Sequence, residues 1–186
     1  MRVISGSLKG KSISYLKNLI TRPLKDSVKE NIFNILNHSN LINVKIKNAN
    51  VLDLYSGFGS FGIECISRGA KKITFVEHNK SVANILKKNL TQLSVIDQIK
   101  LINKKVEDSF ENLKNEKFNI FFLDPPFADN DYLKNLILIK KLQIIEKKHI
   151  VVIHRERKKF DNLNKIINPI FEKNYGRSKI IFGFFN

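Results

Sequence analysis

From Ala49 onward the chain alternates short, continuously apolar runs with segments of helical period, and that alternation leaves few folds open. Val51-Leu52-Asp53-Leu54-Tyr55, Ile73-Thr74-Phe75-Val76-Glu77, Lys100 to Asn103, Phe118 to Asp124 and His149 to His154 read as strands. Between them lie helices with inner faces at Phe61, Cys65 and Ile66, at Val82, Ile85, Leu86, Leu90 and Leu93, and at Leu133, Leu136 and Ile137. Asn79 is placed to cap the second helix and Gly69 to end the first. Strands apolar on both faces belong to a parallel sheet covered by helices on each side. The tail, Ile166 to Phe171 and Ile180 to Phe185 joined through Tyr175-Gly176, adds a closing antiparallel hairpin.

The residues before Ala49 follow another pattern. The first fifteen, with Gly6 and Gly10 around Ser7-Leu8-Lys9, read as a hairpin. Thr21-Arg22-Pro23 then opens a helix with Val28, Ile32, Ile35 and Leu36 on one face. A polar stretch over 37–48 closes it. The expected division is an N-terminal extension at 1–47 and a main domain at 48–186. A chain of 186 residues leaves no room for a separate, sizeable recognition domain.

The net charge of +16 is unevenly distributed. Residues 1–50 hold nine Lys/Arg against two Asp/Glu, residues 51–140 thirteen against eleven, and residues 141–186 eleven against four. Lysine enrichment from an A/T-rich genome would not gather the acids in the middle. Two basic ends around a near-neutral centre point to a polyanion, most simply nucleic acid. No apolar run approaches the ~20 residues that span a bilayer, and the start does not resemble a signal peptide. The single cysteine, Cys65, permits no intrachain disulfide and fits a reducing cytoplasm, where it reads as a small buried apolar side chain. No Cys/His cluster marks a metal site.

Gly57-Phe58-Gly59-Ser60-Phe61-Gly62 is a G-x-G-x-x-G between a strand and a helix, with Glu77 ending the next strand. This pattern lets the backbone approach a nucleotide and supplies an acceptor for ribose hydroxyls. NAD fits it. Asp53, four residues before Gly57, favours another ligand: a carboxylate there would repel a pyrophosphate but attract the sulfonium and ammonium of S-adenosylmethionine. Asp124-Pro125-Pro126-Phe127 follows the fourth strand, at the strand ends where ligands of such sheets sit. The Asp124 carboxylate and Pro125 carbonyl offer two acceptors for the N–H groups of an exocyclic base amine, and Phe127 offers a face for an extruded base.

Taken together these stretches resemble the RsmD family of bacterial small-subunit ribosomal RNA methyltransferases. The resemblance rests on Met1-Arg2-Val3-Ile4-Ser5-Gly6 with Lys9-Gly10-Lys11, Thr21-Arg22-Pro23, Val28-Lys29-Glu30 with Phe33-Asn34, Leu52 to Gly59, Ser67-Arg68-Gly69-Ala70, Phe75-Val76-Glu77, Asp124 to Phe127 and Tyr175-Gly176. It implies a class I, Rossmann-like methyltransferase, S-adenosylmethionine as donor with S-adenosylhomocysteine as product, and the N2 amine of one guanine of 16S ribosomal RNA in the small subunit as target. Carried over by position, Asp53, Gly57, Gly59 and Glu77 would hold the cofactor and Asn103 to Val106 would lie by the adenine. Arg22 and Pro23 would close over the site, and Lys9, Lys11 and Pro126 would meet RNA. Phe58 departs from the Ser or Thr usual in that family, so contacts at the loop mouth should differ. A monomer is expected, without metal or membrane.

Three other readings rank lower. A DNA adenine-N6 methyltransferase usually needs a further recognition domain. An NAD oxidoreductase leaves Asp124 to Phe127 unexplained. A non-catalytic RNA-binding assembly factor has no need of Asp53, Glu77 and Asp124. Among the histidines, His78 reads as a cofactor-rim residue, and His38, His149 and His154 as structural or solvated. The run Arg155-Glu156-Arg157-Lys158-Lys159 reads equally as a phosphate track or a solvated face.

Overall fold

The computed structural model describes residues 1–16 and 24–186. Thr21, Arg22 and Pro23 therefore lie outside the described residues. Seven strands make one sheet: β1 (Asn50–Leu54), β2 (Lys72–Val76), β3 (Ile99–Ile102), β4 (Phe118–Leu123), β5 (Ile145–Glu156), β6 (Ile167–Tyr175) and β7 (Ser178–Phe185), ordered β3-β2-β1-β4-β5-β7-β6. Strands β1 to β5 are parallel, and β6 and β7 form the expected antiparallel hairpin at the edge. The helices are α1 (Asp26–His38), α2 (Ser60–Ser67), α3 (Lys80–Gln92), α4 (Val106–Ser109) and α5 (Tyr132–Lys141).

Alternate strand residues feed two apolar clusters, as a sheet covered on both faces requires. Val51, Ile73, Phe75, Ile120 and Phe122 join residues of α1, α2 and α3, whereas Leu52, Leu54, Val76, Phe121 and Leu123 join residues of α4 and α5. A column of flat groups ties the first cluster together. The Arg68 guanidinium lies 4.5 Å above the Phe33 ring, Phe33 stacks on Phe61 at 5.1 Å, and Phe61 stacks on Phe122 at 4.0 Å. Each such pair adds roughly 0.5–1.5 kcal/mol beyond burial, so the column locks α1 and α2 against β4.

The parallel pairing ends in register, although β5 itself runs on beside β7. Leu54 lies opposite Val76 and Leu123, Val76 opposite Ile102, and Leu123 opposite Ile153. The next residue in each case, Tyr55, Glu77, Asn103, Asp124 and His154, consequently sits at one level along the carboxyl edge. Strand order reverses between β1 and β4, which opens a crevice at that edge.

The opening segment forms a turn closed by a single bridge between Arg2 and Ser12, with Val3 donating to Lys11 and Ile13 to Met1 at 2.9 Å each. It docks on α2 through a buried carboxylate. Glu64 is fully buried and accepts from the amides of Ile4 (2.8 Å) and Ser5 (2.9 Å) and from Arg68 Nε (2.9 Å). Gly6, at φ +84°, passes so close to Ser67 that any side chain would strike its carbonyl oxygen. On the other side, the fully buried Lys29 of α1 donates to the Arg2 carbonyl at 2.8 Å and reaches Ser60 Oγ at 3.3 Å.

Two expectations need correction. The inner face of α5 is Tyr132, Asn135, Leu136 and Ile139, and Ile137 is exposed; a ten-residue helix with apolar residues almost all round leaves its orientation to tertiary packing. β5 is also longer than the run from His149 to His154. Phe118 pairs with Ile145 but Ile120 with Ile150, so residues 146–149 bulge from the sheet. His149 pins this bulge, donating from Nδ1 to the Glu146 carbonyl and accepting at Nε2 from the Phe185 amide, 2.9 Å each.

That hydrogen-bond pair requires neutral imidazole, and burial holds the His149 pKa below its ordinary value. The unfolded chain therefore takes up a proton first, and this contribution to stability, complete above about pH 6.5, is lost as pH falls below it. Thermal midpoints measured from neutral to mildly acidic pH should fall more steeply for the wild type than for His149→Gln. Removing the Glu64 carboxylate leaves Arg68 and two partly buried amides without their acceptor. Glu64→Ala should cost about 3 kcal/mol in a denaturant titration.

Candidate active site

A cavity of about 450 Å³ opens at the carboxyl edge of the sheet. Its wall includes Asp53, Gly57, Glu77, Asp124, Pro125, Pro126 and Phe127, seven of the residues singled out from sequence, together with Tyr55, Phe58, Phe61, His78 and His154. Met1 and Leu24 also border it, so the N-terminal segment helps to form the wall.

The glycine loop is built around two carboxylates. Asp53, 1% exposed at the end of β1, accepts from the Gly62 amide at 3.0 Å and so joins the strand to the first turn of α2. Glu77, at the tip of β2, accepts from Gly57 N at 2.9 Å and Asn79 N at 2.7 Å, fixing the loop's outer limb. Each Glu77 oxygen keeps a lone pair for a further donor. Gly59, at φ +81°, is the residue preceding α2, where a side chain would run into Leu86. Phe58 is buried and meets Tyr15 edge to face at 6.3 Å, so the bulky ring forms part of the wall at the loop mouth.

Asp53 carries an unmet demand. Its Oδ1 is buried without a hydrogen-bond partner among the described residues. Burial, with Asp124 and Glu77 nearby adding to it, pushes the Asp53 pKa well up from the carboxylate range. An acceptor held in this condition at a cavity wall favours a cation. The residues present thus fit a ligand carrying ammonium or sulfonium groups near Asp53 and hydroxyls near Glu77, as S-adenosylmethionine does, and they oppose a pyrophosphate.

Five predicted site residues among those described stand outside the cavity wall: Gly59, which shapes the loop from behind, and Asn103, Val106, Lys9 and Lys11. Asn103 uses its amide to hold the β2 tip, donating to the carbonyls of Glu77 (2.7 Å) and His78 (3.1 Å). Val106 opens α4 and is buried. Lys9 and Lys11 are exposed on the N-terminal turn. Arg22 lies among the residues not described.

Across the cavity, Asp124 Oδ1 accepts a 2.7 Å hydrogen bond from His154 Nδ1, and the His154 ring meets Phe127 edge to face at 5.7 Å. The Pro125 carbonyl has no hydrogen-bond partner among the described residues, whereas the Pro126 carbonyl accepts from Asp129 N (2.8 Å) and Arg155 Nη1 (3.2 Å). Arg155 is fully buried, paired with Asp161 at 3.2 Å and lying 4.4 Å over the Tyr132 ring. It is therefore neither a phosphate contact nor a solvated side chain: β5 continues through it and turns it inward, where it fixes the loop after Asp124. His154 likewise belongs to the site rather than to the solvated histidines. The only sequence signal for His154 is its position, since it follows the apolar run of β5 as Glu77 and Asp124 follow those of β2 and β4. Tyr55, at φ +58°, is held by Asn135 of α5 at 2.9 Å. His78 is largely exposed at the rim, 3.4 Å from Glu77.

Asp53→Asn should separate ligand binding from folding. Relieving the buried charge should leave the ligand-free thermal midpoint equal or higher, while calorimetric affinity for S-adenosylmethionine falls at least about tenfold, or roughly 1.4 kcal/mol. A variant that binds as the wild type does would show that Asp53 makes no contact with the ligand.

The fold is shared with solved structures. The Escherichia coli protein yhhF, described as a candidate methyltransferase, superposes with a TM-score of 0.84 at 26% identity, covering 100% of this chain and 98% of that one. The Haemophilus influenzae protein HI0767, described as a candidate methylase, gives 0.76 at 30% identity with the same coverage. Ribosomal RNA small subunit methyltransferase D of Haemophilus influenzae is 35% identical over 161 residues, 86% of this chain and 80% of the relative. The same-named protein of Buchnera aphidicola from Acyrthosiphon pisum is 31% identical over 156 residues, 84% and 78% respectively. The family model described as Conserved hypothetical protein 95 matches residues 1–184, and with these relatives it shows that the chain belongs to the RsmD family of class I methyltransferases.

Proposed function

We propose that this protein methylates the exocyclic N2 amine of a guanine in 16S ribosomal RNA, using S-adenosylmethionine, with the small ribosomal subunit as its substrate. The relatives' names support ribosomal RNA of the small subunit. The observation that carries the amine is the pair of acceptors at the carboxyl end of β4, the Asp124 carboxylate and the unpartnered Pro125 carbonyl, on the same cavity wall as Asp53 and Glu77.

S-adenosylmethionine supplies an electrophilic methyl group on a sulfonium and is converted to S-adenosylhomocysteine. The chain does the rest by placement. Asp53 and Glu77 hold the cofactor's charged and hydroxyl groups. Asp124 and Pro125 each accept one N–H of the amine, which turns its nitrogen lone pair towards the methyl and stabilises the positive charge that develops there. The N-methylated amine then releases one proton, for which the Asp124 carboxylate is the adjacent acceptor. Phe127 supports the extruded base by stacking. His154 orients Asp124, and Arg155 holds the Pro126 carbonyl so that the loop keeps its direction. All these residues come from one chain, so a monomer suffices.

The test is to incubate the protein and methyl-labelled cofactor with small subunits lacking the modification, then digest the RNA to nucleosides. Label should appear as N2-methylguanosine, and Asp124→Ala should lower the rate at least about a hundredfold. Label recovered as N6-methyladenosine, or an unimpaired Asp124→Ala variant, would overturn the assignment.

A further inference from the structure

A second concavity, larger than the cavity, lies at the opposite end of the sheet. It is a groove of about 960 Å³ at the amino ends of the parallel strands. Its floor is apolar, made of Leu36, Ile42, Val44, Ile46 and Phe184. Its rim carries Lys45, Lys47, Lys147 and Lys148, and no Asp or Glu lines it. All four lysines are exposed, and none makes an ion pair among the described residues. The fifth cation, Arg68, is already engaged by Glu64 and Phe33.

These lysines are presented by the backbone. Over 42–47 burial alternates strictly, with Ile42, Val44 and Ile46 inward and Asn43, Lys45 and Lys47 outward. Lys147 and Lys148 stand on the β5 bulge, whose extra residues leave the sheet. The bulge is held by His149 from within and by Asn119, which donates to the Lys148 carbonyl at 3.1 Å and accepts from Asn50 N at 3.0 Å. A bulge that re-aims side chains is a common way to build a binding surface. The two strongly basic ends of the chain, remote in sequence, supply one pair of lysines each.

We propose that this groove is a second contact surface for RNA, taking the phosphate backbone of the substrate roughly one strand length (about 15–20 Å) from the methyl-transfer cavity. It rests on the reading of the substrate as ribosomal RNA, and deepens it: recognition is split between a base-sized cavity and a distant, sequence-independent phosphate grip. Four cations with no competing carboxylate suit a polyanion. An acidic protein surface is the alternative occupant, and the test separates the two.

The full chain and a variant carrying Lys45→Glu, Lys47→Glu, Lys147→Glu and Lys148→Glu are titrated with naked 16S ribosomal RNA at several salt concentrations. The variant should bind at least about tenfold more weakly, and the slope of log affinity against log salt should shrink by about 3 for four lost phosphate contacts. Its thermal midpoint and affinity for S-adenosylmethionine should match the wild type, which shows that the fold is intact. Unchanged affinity and slope on naked RNA would overturn the proposal, also where binding to intact subunits falls, since that pattern assigns the groove to a ribosomal protein. Because the titration reads binding alone, its result stands whether or not the methylated atom is guanine N2.

Discussion

Register is the constraint from which the site follows. Parallel strands must be joined by crossovers, so each carboxyl end faces the same way, and in-register pairing at Leu54, Val76, Leu123 and Ile153 brings those ends level. Tyr55, Glu77, Asp124 and His154 come from four separate stretches of chain, and the ladder alone makes them neighbours. A one-residue slip of β4 would move Asp124 along the edge and turn it to the opposite face of the sheet. The apolar runs that set this register are buried on both sides, so slippage would expose core residues on every strand.

Within that frame the site is electrostatically demanding. Asp53, Glu77 and Asp124 line one cavity, and the first two are nearly inaccessible to water. Glu77 is compensated by two backbone amides, but Asp53 has only one and keeps a bare oxygen. Stability would be served by an apolar residue at position 53. A carboxylate there makes sense when the ligand brings the missing charge. Opposite, Arg155 and Asp161 are buried as a pair, and their combined effect is to hold the Pro126 carbonyl while leaving that of Pro125 unbonded.

Periodicity makes most of the framework legible. The parallel order of elements, the capping Asn79, the helix-ending Gly69 and the C-terminal hairpin all follow from local pattern. The cavity residues Asp53, Gly57, Glu77 and Asp124 stand out because each sits at or beside a strand end. What escapes is set by tertiary geometry. The inward turn of Arg155 depends on β5 extending past its apolar run to pair with β7. The burial of Lys29 and Glu64 depends on an N-terminal segment packing on α2, where two charged side chains satisfy backbone groups. The bulge before Ile150 is hidden by Glu146-Lys147-Lys148, which interrupts the apolar pattern although pairing with β4 resumes on both sides of it.

The fastening of the N-terminal turn has a consequence for the cavity. Ile4 and Ser5 find their acceptor 59 to 60 residues away on Glu64, and Ser14 pairs with Asn89 across 75 residues. Closing loops of that size carries an entropic cost comparable to that of pairing β1 with β4, whose partners Leu54 and Leu123 are equally remote in sequence. Met1 borders the cavity, so the binding wall is complete only when this segment is docked on α2, and whatever loosens that docking also opens the cavity.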